Sequence, residues 1–267
     1  MNIRQWTREW EKIVPVGLQY DWDNSGLQIG RLEEEITGIV FSLDLNKSAV
    51  SGCIESASNL IVTHHPAFFH PVSRLTDREE AEQTIMDCIE QHIAVYSSHT
   101  PLDLVDGGVN EVMAEKCGIS HRQVLCERDP HLPYARYSQG MGVIGELESP
   151  TTLKSYAERL KKEFSAVSVI FYGNPDQKIR RIANVGGSGM SFLKDAVQKN
   201  ADCLVTADIK YHEALEAIQQ GLTLIDLGHF FSEFPVMQRA MEISKSFCPD
   251  IRQQVIPGEV RFTRQSI

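Results

Sequence analysis

The chain has 267 residues, enough for one large domain or two modest ones with a substantial core. Its hydrophobic share of 42% is that of an ordinary globular protein, and no apolar run approaches the ~20 residues of a membrane span. A formal net charge of -10 argues against nucleic acid as a partner, which calls for a basic footprint. The charged N-terminus lacks a secretory apolar segment, and the six cysteines include no CxxC pair. A cytoplasmic protein with reduced, mostly core cysteines is expected.

Ile3, Trp6, Trp10 and Ile13 recur at helical spacing and predict an amphipathic helix over 2–14. Tyr20 to Leu27 is rich in turn formers and predicts a loop. GIVFSL (38–43) reads as a strand ending at Asp44, and Asn46 as the cap of a helix to about Ala57. Leu60-Ile61-Val62-Thr63 reads as a buried strand stopped by His64-His65-Pro66. A helix over 77–91 and a strand over 92–98 follow, the strand closed by His99-Thr100-Pro101-Leu102-Asp103. Gly107 and Gly108 open another helix, with Asp106 as the expected cap. Strands alternating with helices predict a parallel sheet.

The region 121–150 is less regular and predicts loops and an edge strand. A helix over 151–164, capped by Thr151 or Thr152, precedes strands at 167–172 and 181–185. Then the earlier pattern recurs. Gly186-Gly187-Ser188-Gly189 leads into a helix near 190–199, Asp202 to Asp208 matches Asn59 to His65 in type, and LTLIDLGH ends at His229 as HIAVYSSH ends at His99. The expectation is two α/β domains related by a weak internal repeat, 1–125 plus 229–267 and 126–228, although chance similarity between two α/β halves explains the match equally well.

The chemistry gathers at strand ends, where open α/β sheets place their sites. His64 and His65 are adjacent imidazoles, read either as structural or as ligands to divalent metals, and adjacent side chains diverge enough to suit two neighbouring ions. Pro101 is expected to push Thr100 toward extended geometry and let Asp103 point over the sheet end, as a ligand or as a turn residue. Ser232 reads as the cap of a helix starting at Glu233, whose carboxylate either favours the helix dipole or binds metal beside His229; Gly228 leaves room there. Three histidines and two carboxylates suit two ions bridged by a carboxylate and a water. Gly186 to Gly189 is either a plain tight turn or a phosphate-binding loop. Gly140 to Gly145 satisfies GxGxxG, but Pro150 follows where a helix would have to start, so a glycine-containing strand is expected rather than a dinucleotide site. His99 and His212 are candidate general acid–base residues, with a structural or orienting role as the alternative. His70, His92, His121 and His131 fit no constellation.

The ordered motifs WDNSGLQIG (22–30), LIVTHHP (60–66), HTPLD (99–103), GGSG (186–189), ADIKYHEAL (207–215) and GHFFSE (228–233) resemble the Nif-three-like dinuclear-metal family, whose members are often labelled GTP cyclohydrolase 1 type 2 homologs. The resemblance implies a two-domain α/β protein assembled as a toroidal homohexamer, without the inserted domain of longer members. Carried over position by position, it implies the metal ligands His64, His65, Asp103, His229 and Glu233, with Glu233 as the bridge. The cofactors implied are two divalent ions, Zn, Fe or Mn. Pro101 replaces the family's common Asn, and Val143 stands where a basic residue is frequent. The function so implied is a metal-dependent hydrolase acting on a nucleotide or another phosphorylated small molecule, in the GTP cyclohydrolase-like version by attack of activated water on guanine C8. The rival is a non-catalytic toroidal scaffold with structural or regulatory metals.

Overall fold

The computed structural model of the chain describes residues 1–127 and 140–257. His131, and the part beyond 257 of a strand that the sequence predicts near 254–263, lie outside these residues. The chain forms two compact α/β units, each with its own sheet: Met1–Val105 with the described residues from Met237 onward, and Asp106–Val236. Residues 106–125 and 229–236, grouped from the sequence with the first domain, fall in the second unit.

The first unit opens with α1 (Ile3–Ile13), whose N-terminus is closed by a reciprocal capping box between Asn2 and Gln5. Its buried face carries Ile3, Trp6 and Trp10. The two indoles stack at 5.2 Å, and Trp6 meets the ring of Tyr96 edge-on at 5.4 Å. The Trp6 indole N–H donates to Ser244 Oγ at 2.9 Å, so the burial leaves no polar cost behind. The stretch expected as a loop, Tyr20 to Leu27, ends inside a short strand, β1 (Gly26–Ile29). It has too few apolar residues to announce itself, and its antiparallel pairing with Ala94 to Ser97 is what makes it a strand. Then come β2 (Ile39–Ser42), α2 (Lys47–Glu55), β3 (Leu60–Thr63), α3 (Glu80–Glu90) and β4 (Ala94–Ser97). Asn46 caps α2 by accepting from the Ala49 N–H. β2, β3 and β4 are parallel, with Val40, Ile61 and Val95 in line across them, and every residue of the three is buried, as strands covered on both faces require.

A five-residue helix, α4 (Thr100–Leu104), follows. It corrects the expectation of an extended Thr100: Pro101 falls in the first turn, where its missing N–H has no helical partner to lose.

The second unit contains α5 (Val109–Lys116), β5 (Ser120–Glu127), β6 (Gly140–Thr152), α6 (Leu153–Glu163), β7 (Ile170–Tyr172) and β8 (Lys178–Asn184). A 3-10 turn leads into α7 (Leu193–Gln198), followed by β9 (Cys203–Thr206), α8 (Tyr211–Gln219), β10 (Thr223–Asp226) and α9 (His229–Glu233). The cap position of α5 is Gly108, without a side-chain cap, rather than Asp106. Thr152 caps α6 as expected. The sheet order is β5-β6-β8-β9-β10-β7, with β8, β9 and β10 parallel. The GxGxxG run lies inside β6, where Gly142 (φ +75) permits a close approach to Asn184 and Val185. α10 (Val236–Phe247) then leads to β11 (Gln253–Val255), which adds parallel to β2 and completes the first sheet in the order β1-β4-β3-β2-β11.

The repeat read from the sequence is present in the fold. β2-α2-β3-α3-β4 and β8-α7-β9-α8-β10 are the same strand–helix–strand–helix–strand run, with consecutive strands adjacent and parallel. Each unit has its own apolar cluster, around Val40, Ile61 and Val95 in the first and around Ile182, Val205 and Ile225 in the second. All six cysteines are free, and burial pushes the thiols of Cys53, Cys88, Cys117 and Cys203 up to about 12. These four are core residues rather than nucleophiles. Among the described residues no helix is long and apolar enough to cross a membrane.

Trp6→Ala removes a fully buried indole and its hydrogen bond to the Ser244 hydroxyl. Urea unfolding followed by circular dichroism should show a loss of about 3–5 kcal/mol, whereas an unchanged midpoint would mean that α1 does not hold this core.

Candidate metal centre

In the first unit β3 and β4 lie side by side and end at the same edge, so the residues that follow them meet there. His64 and His65 come directly after β3 and His99 shortly after β4, and one ring nitrogen of each lies within 4.8 Å of the others. Asp103, one helical turn beyond His99 in α4, brings a carboxylate oxygen to 3.8 Å from His64 Nε2.

Each of these imidazoles is held through its other nitrogen. His64, fully buried, has Nδ1 3.0 Å from the carbonyl oxygen of Ser98. A carbonyl only accepts, so the proton sits on Nδ1 and the lone pair on Nε2. His65 Nδ1 donates to Asp44 Oδ1 at 2.6 Å, and His99 Nδ1 to Asp23 Oδ1 at 2.8 Å. Asp23 is itself fixed, accepting from the Thr100 N–H and hydroxyl and from the Ser25 hydroxyl. Burial alone would push its carboxyl up, but hydrogen bonds from His99 and Thr100 and the His99 charge outweigh it and hold it at about 2. It is therefore an anion at neutral pH, fit to orient an imidazole.

The second unit builds a similar device. His229 and Glu233 lie one turn apart in α9, with His229 Nε2 3.0 Å from Glu233 Oε2. His229 Nδ1 donates to Asp208 Oδ2 at 2.6 Å. Asp208 follows β9 with φ +56, in the left-handed region that aspartate tolerates better than most side chains. Gly228 has φ +81 at the cap of α9, so its glycine character serves the backbone turn that aims His229. Ser232 lies inside α9 instead of capping the next helix; its hydroxyl accepts from the Gly187 N–H and donates to the His229 carbonyl. Glu233 is buried.

The donor set fits divalent metal. Histidines whose Nδ1–H is tied to a carboxylate or carbonyl present Nε2 as a ligand, the usual outer-shell arrangement of metal-binding imidazoles. A ring lone pair facing a carboxylate oxygen, as at His229 and Glu233, is stable only with positive charge there, a proton or a cation. Neutral imidazole with carboxylate suits Zn, Fe or Mn.

Other expected residues serve differently. In the Gly186–Gly189 loop, Gly186, Gly187 and Gly189 already donate their N–H groups to Asn110, Ser232 and Thr206. These amides hold the loop itself rather than pointing at a phosphate. Gly187, at φ +60, leaves room for Glu233: a Cβ there would stand within 2.2 Å of the carboxylate oxygen. His212 lies exposed at the start of α8 with its ring against Tyr211, and no described contact joins it to His229 or Glu233. The anchors Asp23, Asp44 and Asp208 were not identified as such from the sequence, although each lies in a motif or at a strand end visible there.

Asp208→Asn should weaken zinc binding by about 10- to 100-fold in competition with a chromophoric chelator; an unchanged affinity would deny His229 a role as ligand. Gly187→Ala should displace the Glu233 side chain and lower bound metal per chain, read by elemental analysis with thermal melting as the folding control, while Ser188→Ala should do neither.

The description Duf34/NIF3 (NGG1p interacting factor 3) matches residues 1–261. A protein of Clostridium acetobutylicum named GTP cyclohydrolase 1 type 2 homolog is 33% identical over 235 residues, covering 87% of this chain and 86% of that protein. One of the same name from Lactococcus lactis is 35% identical, with 86% of each covered. Among solved structures, Staphylococcus aureus protein SA1388 superposes with a TM-score of 0.90 at 28% identity, over 100% of this chain and 99% of that one. With the fold and these relatives in agreement, the chain belongs to the Duf34/NIF3 family.

Proposed function

We propose that His64, His65, Asp103, His229 and Glu233 hold two divalent ions, Zn, Fe or Mn, and that the protein is a metal-dependent hydrolase of a nucleotide or another phosphorylated small molecule. The observation that carries the reading is the repeated anchoring of imidazoles by Nδ1, to Asp44, Ser98 and Asp208, which leaves Nε2 of each ring as the atom able to ligate. The names of the curated relatives support a GTP cyclohydrolase-like version of this activity.

When bound, the ions supply Lewis acidity and activate water at neutral pH. Glu233 would be a carboxylate ligand, the one to which the family resemblance gives the bridging role. Asp103 adds the charge that balances the first set, and Asp44 and Asp208 keep His65 and His229 in the ligating tautomer. His99, its Nδ1–H given to Asp23, has its lone pair at Nε2, where it can take up a proton and give it back. The burial of His64 and Glu233 keeps bulk water from competing for their ligand atoms. The assembly that goes with this reading is a cytoplasmic toroidal homohexamer; the exposed Tyr211, Leu215 and Ile218 of α8 give it an apolar surface for contact between copies.

Elemental analysis of wild type, His65→Ala and Glu233→Ala tests the metals. About two equivalents in wild type, lost or halved in the variants, is the expected result. The metal-loaded protein should then turn over at least one member of a nucleotide panel, and Glu233→Ala should not. Full metal loading without turnover on the panel would leave the scaffold reading in its place, and no metal after reconstitution with Zn, Mn or Fe, with the fold intact, would overturn the site assignment and leave the scaffold reading ahead.

A further inference from the structure

Beside the histidines of the first unit stands a group of aromatic rings that the metal chemistry does not use. Tyr20 stacks on Trp22 at 5.6 Å with planes 5° apart, and Trp22 stacks on Phe69 at 6.0 Å with planes 25° apart. Both Trp22 and Phe69 meet His99 edge-on, at 5.8 and 5.9 Å. The rings are not core: Trp22 is 58% and Phe69 44% exposed, while Trp6 and Trp10 are fully buried. Leaving such rings in water has a cost of roughly 25 cal/mol for each Å² of apolar surface, so their exposure next to a chemical site calls for a ligand.

Phe69 also lines a cleft of about 670 Å³ with Asn24, Phe68, His70, Ser73 and Arg74. That volume suits a small-molecule ligand. The cleft is mixed in character: an aromatic wall, polar side chains, and one guanidinium that forms no ion pair among the described residues. In a chain of net charge -10, a cation within a cleft is a local exception that favours an anion.

We infer that this cleft binds a nucleoside phosphate, its base stacked on the face of Phe69 that Trp22 does not cover and its phosphates toward Arg74. An aromatic face recognises any base through its π-surface, while a purely aliphatic substrate gains little from it. The inference rests on the hydrolase reading for its biological meaning, because it supplies the substrate class of that site, but binding is measurable without turnover and without metal.

The test uses the full chain stripped of metal and titrated with GTP, guanosine and inorganic tripolyphosphate, by calorimetry and by tryptophan fluorescence. Trp22 is the one exposed tryptophan of three, so quenching reports on the wall. GTP and guanosine should bind and quench saturably, GTP more tightly; tripolyphosphate should bind weakly and leave the fluorescence unchanged. Phe69→Leu, which keeps apolar bulk but removes the π-face, should weaken both base-containing ligands about tenfold, while Phe69→Tyr should retain them. Arg74→Gln should weaken GTP and leave guanosine unaffected.

Equal GTP affinity in wild type and Phe69→Leu would overturn the proposal. A Phe69→Leu variant that binds GTP normally but changes its sedimentation would mark the wall as a contact between copies and overturn it as well. If the protein binds no metal or turns nothing over, the hydrolase reading falls, and these affinities still decide the base-binding cleft.

Discussion

An imidazole offers a metal one lone pair at a time, and the neighbour of its second nitrogen decides which nitrogen carries it. The ligand-like histidines of this chain are all governed by that constraint. His64 is tied at Nδ1 to a carbonyl, and His65 and His229 to Asp44 and Asp208. Without those oxygens the rings could rotate or change tautomer, and the strand ends would display histidines without displaying ligands. Much of the surrounding structure follows. Asp208 sits in a left-handed conformation, Gly228 turns the chain into α9, and Gly187 lacks a side chain where the carboxylate of Glu233 needs the space.

His99 shows the same constraint with a different outcome. Its anchor, Asp23, lies 76 residues earlier and comes from the loop before β1 rather than from a neighbouring strand end. That loop also bears Tyr20 and Trp22, so the residue that fixes the tautomer and the rings that meet the imidazole edge-on arrive on one segment. β1 is short and only partly buried, but by pairing with β4 it fixes the position of this segment beside His99. A strand that contributes little to the core therefore contributes directly to the site.

Much of the fold was legible in the sequence because its main signals are local. The buried runs of β2, β3 and β4, the caps Asn46 and Thr152, and the face of Trp6 and Trp10 each declare themselves within a few residues. The misreadings have a common cause. β1 depends on a partner about 70 residues away in sequence. The role of Ser232 depends on Gly187, and that of the glycines on Asn110, Thr206 and Glu233. A serine three positions after a histidine looks like a cap until the distant loop that it holds is known. The candidate ligands could be picked out from motifs, but the residues that anchor them could not, because an aspartate at a strand end has several ordinary uses.

The repeat nevertheless makes two anchors intelligible after the fact. His65 follows β3 and is held by Asp44, which follows β2; His229 follows β10 and is held by Asp208, which follows β9. In both cases the separation is 21 residues. That is one strand–helix–strand step, and such a step returns the chain to a parallel neighbour with its end beside the previous one. An aspartate closing one strand and a histidine closing the next are thus brought together by topology, with no need for either to recognise the other along the chain. The same backbone operation, used once in each unit, converts a sequence interval into an oriented imidazole. A shared ancestor of the two runs explains this economically, and so does the narrow choice that parallel sheets allow for placing a carboxylate behind a histidine.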